Sequence, residues 1–139
     1  MRLVIDTNLL ISALLSETSL PAHLLTLWED GWCEVLTAPD QLEELMRATR
    51  YPRLRERLNP RTAGRLINQL RDVATLVGNL PAVTLSADPH DNYLLALAQA
   101  GRADFLLTGD KRDLLALRNH QGTRILTVRD FLAMHRRLP

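Results

Sequence analysis

The sequence predicts an α/β fold: a three-layer sandwich with a central parallel sheet of about five strands. Two observations predict it. Short apolar runs alternate with segments whose apolar residues recur at helical spacing, the pattern of a parallel sheet covered on both faces. No long linker, repeat or low-complexity tract interrupts the 139 residues, a length suited to one domain with a substantial core.

The elements follow in order. Leu3 to Ile5 is the first strand, stopped at once by Asp6-Thr7-Asn8. Leu9 to Leu15 suits a helix, loosened at Ser16-Glu17-Thr18-Ser19. Pro21 fits the first turn of the next helix, where its missing N–H is not needed. That helix carries Leu24, Leu25, Leu27 and Trp28 and stops near Gly31. Cys33 to Leu36 is the second strand. Thr37-Ala38-Pro39-Asp40 resembles a capping box ahead of a helix with Leu42, Leu45 and Met46 on one face. That helix ends before Pro52, because the residue preceding a proline avoids the helical region. Asn59-Pro60 starts another, with Leu66, Ile67 and Leu70 at helical spacing and Gly78 closing it. Val83 to Leu85 is read as the third strand. Asp88-Pro89 opens a helix containing Leu94, Leu95, Leu97 and Ala98, ended by Gly101. Phe105-Leu106-Leu107 is the fourth strand, and a short helix carries Leu114, Leu115 and Leu117. Ile125-Leu126 is the fifth strand. Thr127 with Asp130 caps a final helix through Met134.

Composition narrows the class. A hydrophobic share of 46% and a charged share of 24% are ordinary for a globular protein. A net charge of +1 gives no whole-molecule sign of nucleic-acid binding. The charges are uneven, however. Arg47, Arg50, Arg53, Arg55, Arg57, Arg61, Arg65 and Arg71 crowd a stretch in which Glu56 and Asp72 are the only acids. Such a stretch reads either as a solvated helix face or as a phosphate-binding surface, since the planar guanidinium gives paired hydrogen bonds. Cys33 is the single cysteine, so no internal disulfide forms, which fits a reducing compartment. Its apolar surroundings read as a buried small side chain rather than a nucleophile. The first strand begins too early for a signal peptide, and no apolar run approaches the length of a bilayer span. A soluble, cytoplasmic protein without membrane contact is the expectation.

Acids stand where strands of this fold end. Ligands of open α/β sheets bind outside the carboxyl ends of the strands. Asp6 follows strand one, Asp110 follows strand four with Asp113 three residues on, Asp91 opens the helix before strand four, and Glu44 lies on the helix after strand two. If strands one and four are neighbours, these side chains can converge. Two like charges about 4 Å apart repel by roughly 4 kcal/mol at an effective dielectric near 20. Converging carboxylates must therefore take up protons or share a cation. Oxygen donors suit Mg²⁺ or Mn²⁺, which activate water for attack on phosphorus. Singly, Asp91, Asp110 and Asp113 also read as helix-start residues, and Glu43 competes with Glu44. The set carries the argument.

With these residues in view, the chain resembles a PIN domain, a metal-dependent ribonuclease fold, and its toxin-like branch (VapC-type ribonuclease toxins of toxin–antitoxin systems). Leu3-Val4-Ile5-Asp6-Thr7-Asn8 is similar to the family's opening motif. The segment from Asp88 to Ala98 is similar to its central acidic helix start, and that from Ala103 to Asp110 to the strand leading to its last acids. Ile125 to Leu132 looks like the closing strand and helix. The resemblance implies that Asp6, Glu44, Asp91 and Asp110 are catalytic and, with Asp113, metal ligands. Glu44 fits better than Glu43 because it directly precedes Leu45. Thr7, Asn8 and Thr108 would orient carboxylates or substrate, with Ser12 a lesser candidate. His90 stands where the family usually has a carboxylate, and is read as a surface histidine rather than a general acid.

The expected function is a Mg²⁺- or Mn²⁺-dependent endoribonuclease cutting single-stranded or loop RNA, as the toxin of a toxin–antitoxin pair. Arg47, Arg50 and Arg53 would touch RNA or an acidic segment of a small antitoxin protein, and a homodimer is implied. The alternative is a PIN-like RNA- or protein-binding module without hydrolysis. Other folds with an Asp at a strand end fit less well. A haloacid-type phosphatase wants a second Asp two residues after the first, where this chain has Asn8. A receiver domain wants a late lysine, and the one lysine, Lys111, directly follows Asp110.

Overall fold

Leu3, Val4 and Ile5 are apolar without alternation, and a strand so composed needs cover on both faces. The computed structural model, which describes residues 1–109 and 112–135, gives it that cover. Strand β1 (Arg2–Ile5) lies inside a six-stranded sheet of order β3-β2-β1-β4-β6-β5. Its neighbours are β2 (Glu34–Thr37) and β4 (Phe105–Thr108), both parallel to it. Beyond β4 comes β6 (Thr123–Thr127), also parallel, and beyond β2 the short β3 (Thr75–Leu76). The fold is the expected α/β sandwich with a mostly parallel sheet.

The two-residue period of β1 divides the core. Leu3 and Ile5 pack into one apolar layer with Leu9, Leu24, Trp28, Leu45, Leu70 and Phe131. Val4 points into the other, with Leu36, Leu94, Leu97, Leu106 and Leu114. The first layer is supplied by helices α1 (Thr7–Leu15), α2 (Leu20–Glu29), α3 (Pro39–Ala48), α5 (Pro60–Asp72) and α8 (Val128–His135). The second rests on α6 (Pro89–Gly101) and α7 (Arg112–Ala116). A one-turn helix, α4 (Pro52–Arg55), links α3 to α5.

Three expectations need correction. Val83 to Leu85 is not a strand: Leu85 is exposed, and Val83 packs from irregular backbone onto the α6 layer. Thr75–Leu76 takes the edge beside β2 instead. The Val77 amide donates to the Thr37 carbonyl at 2.8 Å, and the Thr75 hydroxyl donates to the Glu34 carboxylate. The sheet has six strands rather than five, because β5 (Asn119–His120) pairs antiparallel with β6. Gln121 and Gly122, at φ 49° and 86°, make the two-residue turn between them. Positive φ at both positions matches the right-handed strand twist. Finally, Thr37 does not cap α3. The helix starts from Ala38 with no side-chain cap and Pro39 in its first turn.

Candidate active site

The strand order places the site. Chain connections leave β1 toward β2 on one side and reach β4 on the other, so the carboxyl ends of β1 and β4 flank a switch point. Asp6 and Thr108 stand there. Asp6 is N-cap of α1, its Oδ1 accepting the Asn8 amide at 3.1 Å. A cap at the first residue after the strand turns the chain abruptly and leaves the carboxylate facing the sheet edge. Only 1% of Asp6 is exposed. The Thr108 hydroxyl donates to its Oδ2 at 3.0 Å, joining the ends of the two central strands.

The first turn of α6 supplies the next group. Asp88 caps it through the His90 amide, with Pro89 beginning the helix. Asp91 is buried and accepts from the Ser86 hydroxyl at 3.1 Å. Asn92 ties the preceding loop down twice: Oδ1 accepts the Ser86 amide and Nδ2 donates to the Ser86 carbonyl, each at 2.8 Å. From this turn His90 reaches across the cleft. Its Nε2 lies 3.2 Å from Asp6 Oδ1 and its Nδ1 lies 3.2 Å from Glu44 Oε2. The Tyr93 ring lies beside it, centroids 6.2 Å apart. Burial, and after it the charges of Glu44 and Asp40, pushes the Tyr93 phenol well above its ordinary value, so it stays neutral.

Glu44 is held there by the start of α3. Gln41, fully buried, donates through Nε2 to the Ile5 carbonyl at 2.7 Å and accepts the Thr37 hydroxyl on Oε1 at 2.7 Å. Its amide also lies 3.4 Å from the Thr7 hydroxyl. One side chain thus fixes α3 to β1, β2 and α1, and Glu44 follows three residues on.

The structure therefore brings Asp6, Glu44 and the helix turn bearing Asp91 to one point. Asp110 lies outside the described residues. Asp113 sits on α7 with an exposed side chain and makes no hydrogen bond or ion pair with a described residue. Thr108 orients Asp6 as expected. Thr7 instead faces Gln41, and Asn8 contributes its backbone amide while its side chain is exposed. Ser12 is an exposed helix residue bonded to the Asn8 carbonyl. His90 is not the surface histidine expected: it bridges two acids, with 21% of its side chain exposed. Gln41 and Ser86 lay outside every motif, and Asn92, inside the segment from Asp88 to Ala98, was given no role. Only the sharp breaks after Thr37 and before Pro89 marked their surroundings.

The carboxylates of Asp6, Glu44 and Asp91, the first and last of them buried, are oxygen donors of the kind that suits a hard divalent ion. Among the described residues, no three acids or imidazoles are disposed to hold one as they stand.

The arginine stretch runs from the end of α3 through α5. Of its eight arginines only Arg47 forms an ion pair among the described residues, with Glu43 at 3.1 Å. Arg50 and Arg55 line a concavity of about 340 Å³ with Thr49, Leu58 and Ile67. Cys33 is partly buried, and burial pushes its thiol up to about 11. Burial of this kind disfavours the thiolate, the nucleophilic form. No single helix among the described residues is long and apolar enough to cross a membrane.

Comparison with known proteins agrees with this fold. A family model described as PIN domain matches residues 2–112, a span holding Asp6, Glu44 and Asp91. An uncharacterized protein of Methanocaldococcus jannaschii is 29% identical over 119 residues, covering 85% of this chain and 76% of that protein.

Proposed function

The chain belongs to the PIN domain family, a family of nucleases that generally use divalent metals, and from that premise we propose a Mg²⁺- or Mn²⁺-dependent endoribonuclease, the toxin of a toxin–antitoxin pair. One observation carries the reading: Asp6, Glu44 and the turn bearing Asp91 meet at the carboxyl edge of β1 and β4.

Asp6, Glu44 and Asp91 would hold the ion, with Asp110 and Asp113 the further acids of the following segment. The ion, when bound, supplies the Lewis acidity that activates water and offsets charge on phosphorus. The protein's own groups do the rest. Thr108 and the Asn8 amide fix both oxygens of Asp6, so that carboxylate meets a ligand without reorganising. Ser86 does the same for Asp91. Gln41 sets the depth of α3, and so the reach of Glu44. The arginines from Arg50 to Arg71, without ion pairs among the described residues, fit an RNA backbone or an acidic antitoxin segment, and a homodimer completes the reading.

The contact of His90 with both Asp6 and Glu44 favours a second reading, a PIN-like binding module without hydrolysis. Cleavage of a mixed RNA pool in Mn²⁺ or Mg²⁺ separates the two. Wild-type cleavage abolished by EDTA, and by Asp91→Asn in the same preparation, is the expected result. Equal cleavage by both proteins would reveal a contaminant and remove support for the nuclease. No cleavage by either would favour the binding module.

A further inference from the structure

His90 meets a carboxylate at each end of its ring. Nε2 lies 3.2 Å from Asp6 Oδ1, and Nδ1 lies 3.2 Å from Glu44 Oε2. The ring therefore stands between two oxygens that the proposed function assigns to one divalent ion. An ion with bonds of about 2.1 Å spans two oxygens no more than about 4 Å apart. A ring seated between those oxygens, 3.2 Å from each, holds them farther apart than that. The ring and the shared ion cannot both be seated.

The ring is well supported where it lies. Asp88 and Pro89 fix the start of α6, the His90 amide is bonded to Asp88 Oδ1 at 2.9 Å, and the Tyr93 ring flanks the imidazole. Asp6 is buried, so losing the imidazole contact removes one of the contacts that offset its lost hydration. An arriving cation supplies a replacement. The exchange is one favourable partner for another, which weakens metal binding without preventing it.

We infer that His90 competes with the divalent ion for Asp6 and Glu44, and so sets the metal affinity of this site. The inference rests on the metal-dependent reading above. Asp6 and Glu44 would hold the ion only with the His90 ring withdrawn from between them. His90 is in this account a positioning residue: it holds the acids apart in the metal-free protein and contributes no donor to the loaded one.

The test is calorimetric titration of Mn²⁺ alone into the full-length protein, wild type against His90→Ala and His90→Asn. Either variant should bind Mn²⁺ roughly tenfold tighter or more, since the ring's hydrogen bond to Asp6 and its contact with Glu44 no longer have to be broken. Adding Asp6→Asn should abolish that binding. Equal affinity in wild type and variants overturns the inference and leaves the metal site standing. Weaker binding in the variants also overturns it and makes the ring a ligand. No Mn²⁺ binding by any of the proteins overturns the metal-dependent reading itself, and the inference with it. A second measurement needs no variant. Pulsed electron paramagnetic resonance of Mn²⁺-loaded wild type should show no coupling to a directly bound nitrogen; such a coupling overturns the inference.

Discussion

At Asp6 a buried carboxylate draws contacts from three elements: the Asn8 amide of α1, the Thr108 hydroxyl at the end of β4 and the His90 ring of α6. A charge this deep is tolerated only because each contact offsets part of the lost hydration. The Thr108 contact is the one a conservative substitution removes cleanly. Thr108→Val keeps the shape of a fully buried side chain and deletes its donor. It should destabilise the fold by about 1 to 2 kcal/mol, read by urea unfolding. RNA cleavage should fall by roughly tenfold or more, because Asp6 loses the group that orients it. A variant as stable and as active as wild type would show that Thr108 neither supports nor orients it. At this scale Asp6 was legible in the sequence, since an Asp that stops an apolar strand has little packing purpose. His90 was not. Its neighbours in the chain describe a helix start, whereas its partners lie 84 and 46 positions away.

The elements themselves were largely legible where periodicity was long. The strands Leu3 to Ile5 and Phe105 to Leu107 and the helix from Pro89 appear close to where apolar spacing puts them, whereas the helix from Pro60 ends at Asp72 rather than at Gly78, because Thr75–Leu76 joins the sheet. Errors fall on two-residue strands. Thr75–Leu76 is chosen by its reach to the open edge of β2, and Val83 to Leu85 loses although its side chains suit a strand better. Nor did sequence reveal how α3 is anchored. The Thr-x-x-Asp pattern beginning at Thr37 suggested a cap, yet the Thr37 hydroxyl goes to Gln41. Gln41→Leu, close in size, would leave the Ile5 carbonyl and the Thr37 hydroxyl without that amide. Unfolding should show a loss of about 2 to 3 kcal/mol. Unchanged stability would show that the buried amide does not hold α3 to β1 and β2.

Across the whole molecule the charges are unevenly placed. Acids gather at the carboxyl edge of the sheet, while six arginines of the α4–α5 region stand without ion pairs among the described residues. A near-neutral net charge conceals this division, so the overall balance says little about partners. If the arginine face carries the RNA backbone, Arg50→Glu with Arg53→Glu should weaken RNA binding. The slope of log affinity against log salt should also shrink by roughly two. Unchanged affinity and slope would take both residues off the RNA path and leave the face to an acidic protein partner.

By itself the sequence determined the α/β class and the strand ends at Asp6 and Thr108. Those follow from the local order of apolar and polar residues, which sets where an element stops and what stands at its end. Only the tertiary structure decided which edge strand forms, that Gln41 rather than a cap secures α3, and that His90 lies between Asp6 and Glu44. Each of these depends on groups far apart in the chain and brought together by strand order. A local pattern carries no record of distances fixed by packing.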